Sequence, residues 1–171
     1  MVGMELISRI LDGSIPESLR SATPGARFFG GRVTQDDKIS RLEAVPLLEE
    51  CTRRQLKAVA RITDVIEVPA GTVLARQGQP GNEFYLIVDG SARVEVSARK
   101  RSRLAPGAYF GEMSLLDGGE RSASVVAETP MRLLVIKRRD FSTLLREAPE
   151  LTQSILATLS RRVRQAEQAL G

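Results

Sequence analysis

Phe110-Gly111-Glu112-Met113-Ser114-Leu115-Leu116, followed by Arg121-Ser122-Ala123-Ser124-Val125, places a helix start, a carboxylate and a guanidinium within a short span of chain. Gly111 lets backbone approach a ligand, the first-turn amides of a helix starting there have no intrahelical partner, and Arg121 offers a rigid fork of donors to an oxygen-rich anion. Glu112 serves something else. A carboxylate only accepts hydrogen bonds, so beside a bound anion it makes sense when the same ligand brings hydroxyl donors, as a ribose does. Singly, each residue has an ordinary explanation: Gly111 as a turn glycine, Glu112 as a first-turn acid complementing the helix dipole, Arg121 as an exposed loop residue. The combination points to an anion site with a sugar-reading acid beside it.

Around this run the sequence reads as β structure. Between Val65 and Ile136 short β-branched runs are broken by glycines: Val65 to Val68, Thr72 to Leu74, Phe84 to Val88, Ala92 to Val96, Ser122 to Ala127 and Met131 to Ile136. Asp89-Gly90 between two of these runs predicts a hairpin, because both residues tolerate positive φ. Pro69-Ala70-Gly71, Gly78 to Gly81 and Pro106-Gly107 punctuate the other connections. Ahead of the strands, apolar positions recur at helical spacing from Ile39 to Ile62, and Thr52 with Gln55 forms a capping-box pattern, so one or two helices precede the sheet. After the strands, Asp140 is expected to cap a helix running through Leu145, and Pro149 to open a longer one. In that longer helix Leu151, Ile155, Leu159 and Val163 recur every four residues, Leu170 follows one heptad later, and Leu156 widens the stripe. Such a stripe covers its own domain or pairs with its copy in a dimer.

The predicted fold class is therefore mainly β with flanking helices: an antiparallel β-barrel of jelly-roll, double-stranded β-helix type with N-terminal helices and two C-terminal helices. Residues 1–38 read as an extension, partly disordered, in which Leu6, Ile7, Ile10 and Leu11 form a short amphipathic stretch before a Pro-, Gly- and Ser-rich passage from Gly13 to Gly31. Residues 39–138 read as helical lead-in and barrel, and residues 139–171 as closing helices, candidates for a lid and for a dimer contact.

Composition bounds the function. A chain of 171 residues is one ordinary domain with an extension. Cys51 is its only cysteine, which excludes an internal disulfide and suits a reducing compartment. With no apolar run of membrane-spanning length and no signal-peptide pattern, a cytoplasmic location and no membrane contact are expected. The chain has no histidine, which removes imidazole metal sites, histidine-activated nucleophiles and most proton shuttles that work near neutral pH. No catalytic residue and no metal site are assigned. The net charge of +4 is too mild and dispersed to imply nucleic acid, and the one dense basic cluster, Arg99-Lys100-Arg101 with Arg103, falls where a hairpin tip is expected.

At the level of motif the sequence resembles the cyclic nucleotide-binding domain family, shared by the catabolite activator protein, the regulatory subunits of cyclic-nucleotide-dependent kinases and cyclic-nucleotide-gated channels. Phe110 to Leu116 with Arg121 to Val125 looks like that family's phosphate-binding cassette, and the glycines of Pro69-Ala70-Gly71, Gln79-Pro80-Gly81 and Val88-Asp89-Gly90 fall where the family places barrel turns. The resemblance implies that Glu112 accepts the ribose 2′-hydroxyl with Gly111 giving the sugar room. It implies that Arg121 pairs with the exocyclic oxygens of the cyclic phosphate, with the Ser122 hydroxyl and Ala123 amide as further donors. Phe110, Met113, Ser114 and Leu115 are assigned by it to the cassette helix. It favours cAMP over cGMP as ligand, with no other cofactor, although Ser122 also suits a guanine amino group.

Family members that are transcription factors carry a helix-turn-helix after the long helix, and channels carry membrane helices before the domain. Neither pattern is read in this sequence, so direct DNA binding is not expected, and the implied output is a protein partner in trans or self-association through the C-terminal helix. Three other readings stand beside this one. The chain is an excised domain of a larger channel or regulator, or a cupin-like enzyme using Glu112 and Asp117, or a ligand-free domain kept for assembly. Missing histidine weighs against the second, and the pair Glu112 and Arg121 against the third.

Overall fold

A computed structural model of the chain describes residues 31–96 and 100–170. The stretch holding Leu6, Ile7, Ile10 and Leu11, the passage from Gly13 to residue 30, and Arg99 lie outside them. The first helix among the described residues, α1 (Gln35–Glu43), begins within the stretch assigned to the extension. It is followed by a 3-10 turn (Pro46–Leu48) and α2 (Arg53–Arg61). Both helices start on reciprocal caps. Thr34 Oγ1 accepts from Asp37 N at 3.1 Å while Asp37 Oδ2 accepts from Thr34 N at 2.8 Å. The anticipated box at Thr52 and Gln55 closes the same way, at 3.3 and 2.9 Å.

The strands are β1 (Thr63–Val68), β2 (Val73–Ala75), β3 (Glu83–Asp89), β4 (Ala92–Val96), β5 (Lys100–Leu104), β6 (Tyr109–Phe110), β7 (Ser124–Ala127) and β8 (Met131–Lys137), with the short α3 (Ser114–Asp117) between β6 and β7. They form two four-stranded sheets, ordered β1-β8-β3-β6 and β2-β7-β4-β5. The pairs of β3 with β6 and β8, and of β7 with β2 and β4, are antiparallel. One apolar core draws on both sheets, with Tyr85, Ile87, Leu133 and Val135 from the first and Leu74, Val125 and Ala127 from the second. Central strands β3 and β8 are buried on both faces, which is why Phe84 to Val88 and Leu133 to Ile136 read as continuous apolar runs rather than alternating ones.

Three expectations change here. Asp89-Gly90 does turn the chain, with Gly90 at φ +89, but β3 and β4 belong to different sheets, so the turn is a corner and not a hairpin. A Cβ on Gly90 would lie 2.9 Å from Thr129 Oγ1 and from Met131 Cγ, so the corner needs glycine for space as well as for its positive φ. Next, part of the supposed basic hairpin tip is strand β5, paired with β4 as the edge of its sheet. The basic residues interleaved with Ser102 and Leu104 disguised it, and basic residues on an edge strand discourage pairing with other chains. Finally, Asp140 is not a cap: α4 (Arg138–Glu147) begins two residues earlier, with Arg138 N donating to Asn82 O at 2.7 Å.

Strands and α3 form one compact unit (Asp64–Arg138), and the helices a second (Arg32–Thr63 with Arg139–Gly171). In the second unit α5 (Pro149–Leu170) opens on the anticipated proline. Its inner face is Leu151, Ile155 and Thr158, all buried. Ser154 Oγ donates to Gln55 Oε1 at 3.1 Å, and Arg161 pairs with Glu49 at 2.7 Å and with Glu50. Leu156, Val163 and Leu170 are 50, 58 and 90% exposed, so the anticipated stripe divides. A four-residue repeat advances about 40° past a full turn at each step, which carries Val163 about 120° round the helix from Leu151.

Candidate ligand-binding site

Gly111 follows β6 at φ +82, the chain turns through Glu112 and Met113, and α3 starts at Ser114. Its first hydrogen bond runs from Leu115 N to Glu112 O at 3.3 Å. Phe110, assigned above to the cassette helix, is instead the last residue of β6. It pairs with Tyr85 of β3 and stacks on that ring with centroids 4.9 Å apart, and this contact holds it extended. Met113 stands at the helix N-cap, while Ser114 and Leu115 lie in the helix and are buried.

Arg121 reaches back toward this turn with its side chain only 7% exposed. Nη2 donates to Glu83 O at 2.7 Å and lies 3.4 Å from Glu83 Oε2, and Nη1 donates to Ser114 Oγ at 3.4 Å. Three of the five guanidinium N–H bonds are thus committed within the protein, leaving donors for an anion. Two glycines make room for the group. A Cβ on Gly81 would lie 2.8 Å from Arg121 Nε, and one on Gly111 would collide with Nη1 and stand 2.6 Å from Glu83 O. On the side where Gly111 lacks a Cβ, its neighbour is therefore Arg121.

The backbone on either side of Arg121 is tied to the loop after β2. Gly78 N donates to Arg121 O at 2.9 Å, Arg121 N to Gln79 O at 2.8 Å, and Gly81 N to Gly119 O at 3.0 Å. Glu83 feels this enclosure: burial raises its carboxyl above the usual range, against the opposing pull of Arg121 and, more weakly, Lys137.

These groups open on a cavity of about 440 Å³, within the ~300–1,000 Å³ of small-molecule sites. Phe110, Gly111, Glu112, Met113, Ser114, Arg121, Ser122 and Ala123 all line it; of the anticipated site residues only Leu115 does not, being packed away from it at 3% exposure. A row across the second sheet supplies more of the lining: Ala75 of β2, Val125 of β7, Val94 of β4 and Ser102 of β5 are successive register partners. The site therefore combines a buried guanidinium and a half-buried carboxylate with an apolar surface ending in a hydroxyl. Among the described residues no group of three His, Cys, Asp or Glu is disposed to hold a metal ion.

Comparison with known proteins gives the family. The cyclic nucleotide-binding domain model matches residues 65–148, a stretch that holds the whole cavity and all of both sheets but the first two residues of β1. The chain belongs to the cyclic nucleotide-binding domain family. It is 39% identical over 110 residues to a cyclic nucleotide-gated potassium channel of Mesorhizobium japonicum, covering 64% of this chain and 30% of that protein. It is 40% identical over 104 residues to the cyclic AMP receptor protein of Thermus thermophilus, covering 58% and 48%. A solved cyclic nucleotide-binding-like protein from Brucella abortus superposes with a TM-score of 0.59 at 31% identity, over 65% of this chain and 99% of that one. The chain thus spans less than half of the length of these two curated relatives.

Several residues of this cyclic nucleotide-binding domain escaped the sequence reading. The sequence marks Gly81 only as a turn residue, and Glu83 falls just outside the apolar run Phe84 to Val88. Ser102 and Leu104 lie on β5, which the basic cluster presents as a hairpin tip, and Val94 lies in a strand run that carries no site motif. The alternation of Ser102 and Leu104 was the one signal that could have exposed them.

Proposed function

We propose that the chain is a cytoplasmic sensor that binds cAMP in this cavity and acts by binding, not by catalysis. The observation that carries this reading is the buried Arg121 guanidinium, held between Gly81 and Gly111 and opening on the same cavity as Glu112. Arg121, with Ser122 and Ala123, holds the cyclic phosphate, and Glu112 beside Gly111 accepts the ribose 2′-hydroxyl. The apolar row from Ala75 to Val94 gives the base a surface to lie on. Preference for adenine is supported by likeness to a cyclic AMP receptor protein. The two sheets wrap this site as a jelly-roll barrel.

The signal leaves through α4 and α5. Arg138, the first residue of α4, has its guanidinium packed against Gly118 at the end of α3, so a shift of α3 on ligand binding is felt where α4 begins. The outward positions of α5, Leu156, Val163 and Leu170, recur at heptad spacing and pair with a second copy of the chain, and a protein partner in trans receives the output. Contact with DNA or membrane forms no part of this reading.

Thermal unfolding in the presence of cAMP, cGMP and their linear 5′-monophosphates tests the core of the proposal. A rise in Tm with the cyclic nucleotides only, larger for cAMP, is expected. Equal shifts with the linear forms would sink it.

A further inference from the structure

Glu83 shares Arg121 with whatever anion the cavity holds. Its carboxylate Oε2 lies 3.4 Å from Arg121 Nη2, the nitrogen that also donates to the Glu83 carbonyl at 2.7 Å. Both side chains are withdrawn from water, at 21% and 7% exposure. Other titratable groups surround the pair. Lys137 of β8 is the register partner of Glu83, and Tyr85 is the next residue but one along β3, on the same face, with its buried hydroxyl lacking a hydrogen-bond partner among the described residues. Tyr109, Glu112 and Glu120 line the cavity itself.

Without an anion, a carboxylate beside a buried guanidinium offsets the cost of burying that charge. A ligand phosphate changes the balance, because it brings a second negative charge to the same cation in a space that excludes most water. Like charges at such separations disfavour ionisation of the weaker acid. A phosphate diester stays ionised, so the group that yields is the carboxylate. Protonated, it keeps an acceptor oxygen for Arg121 and loses its repulsion of the phosphate.

Building on the reading of this cavity as a cyclic nucleotide site, we propose that Glu83 is a positioning residue for Arg121 and that it takes up one proton from solvent when the anionic ligand binds. Burial already acts in the same direction, holding this carboxyl above its usual range. The sign follows from linkage. A group protonated on binding makes affinity highest below its ligand-free pKa, lowers it as pH rises through the interval up to its bound pKa, and leaves it flat above.

Titration calorimetry of the full chain with cAMP, in buffers of different ionisation enthalpy near about pH 6, counts the proton directly and needs no variant. Net uptake between zero and one proton is expected, with affinity falling roughly three- to tenfold as the medium is taken from mildly acidic to mildly alkaline. Glu83→Gln retains an acceptor for Arg121, so it is expected to abolish both the uptake and the pH slope and to bind more tightly than wild type at the alkaline end. Binding without proton uptake would overturn this inference alone, as would uptake that persists in Glu83→Gln and so belongs to Glu112 or Glu120. A uniform loss of affinity at every pH in Glu83→Gln would reduce Glu83 to a purely structural part and overturn it as well. Wild-type protein that binds no cyclic nucleotide at any pH would overturn the reading of the cavity and this inference with it.

Discussion

The Arg121 guanidinium stands where a Cβ on Gly111 would have to be. Gly111 also sits at φ +82, so alanine there is opposed twice, by backbone strain and by collision with a buried cation. Gly111→Ala is expected to destabilise the fold by about 1–3 kcal/mol and to abolish ligand binding, as read by denaturant unfolding and calorimetry. Unchanged stability together with unchanged binding would show that the slot tolerates a side chain.

Removal of the cation itself tests the phosphate role. Arg121→Ala should weaken cAMP binding by roughly 2–5 kcal/mol, the usual cost of truncating one partner of a buried charged contact. Arg121→Lys should recover little, since an ammonium cannot span Glu83 O, Ser114 Oγ and a phosphate with one planar fork. Full affinity in either variant would exclude the role.

Sugar recognition is tested separately. Glu112→Gln replaces an ionised acceptor with a neutral amide, and a charge-assisted hydrogen bond contributes about 1.5–3 kcal/mol. The loss should be large for cAMP and small for 2′-deoxy-cAMP. Equal losses for both ligands would place Glu112 elsewhere in the mechanism.

Self-association rests on the outer face of α5. Val163→Glu puts a carboxylate at the centre of the Leu156, Val163 and Leu170 series, and burying an unpaired charge costs several kcal/mol, so a dimer should dissociate to monomer in sedimentation experiments. Wild-type protein that is monomeric at high concentration, with and without cAMP, would rule the pairing out.

Cys51 offers a pH test that does not involve the cavity residues. Burial, helped by the neighbouring Glu50, pushes its thiol up to about 11, so it stays protonated and unreactive near neutral pH. Alkylation at about pH 8 should run roughly a hundredfold slower than for an unhindered thiol, rising toward that rate only as the medium approaches about pH 11 or on unfolding. Rapid labelling of the native protein would contradict that environment.

How much of this was legible in the chain depended on how local each signal is. The cap at Thr52 and Gln55 uses residues three apart, and it formed as read. The runs Phe84 to Val88 and Met131 to Ile136 announce themselves because central strands bury both faces. Strand β5 hid because an edge strand with one face in solvent carries basic residues, and β6 hid because two residues have no periodicity. The corner at Gly90 looked like a hairpin because local turn chemistry is the same in both, and only sheet membership separates them. At the site, Gly111, Glu112 and Arg121 were visible as a motif, whereas Glu83 and Gly81 act on Arg121 across about forty residues of chain, where no local pattern records a contact.

The three backbone hydrogen bonds that join Gly78, Gln79 and Gly81 to Gly119 and Arg121 bear on the birth of the protein. They link segments far apart in sequence, and contacts of that kind form late, after the closure entropy of the intervening chain has been overcome. An emerging polypeptide therefore has no anion slot until β7 has left the ribosome and docked. Under the proposed function, nucleotide present during synthesis is expected to bind finished molecules only and, by draining that population, to stabilise chains whose two segments have met.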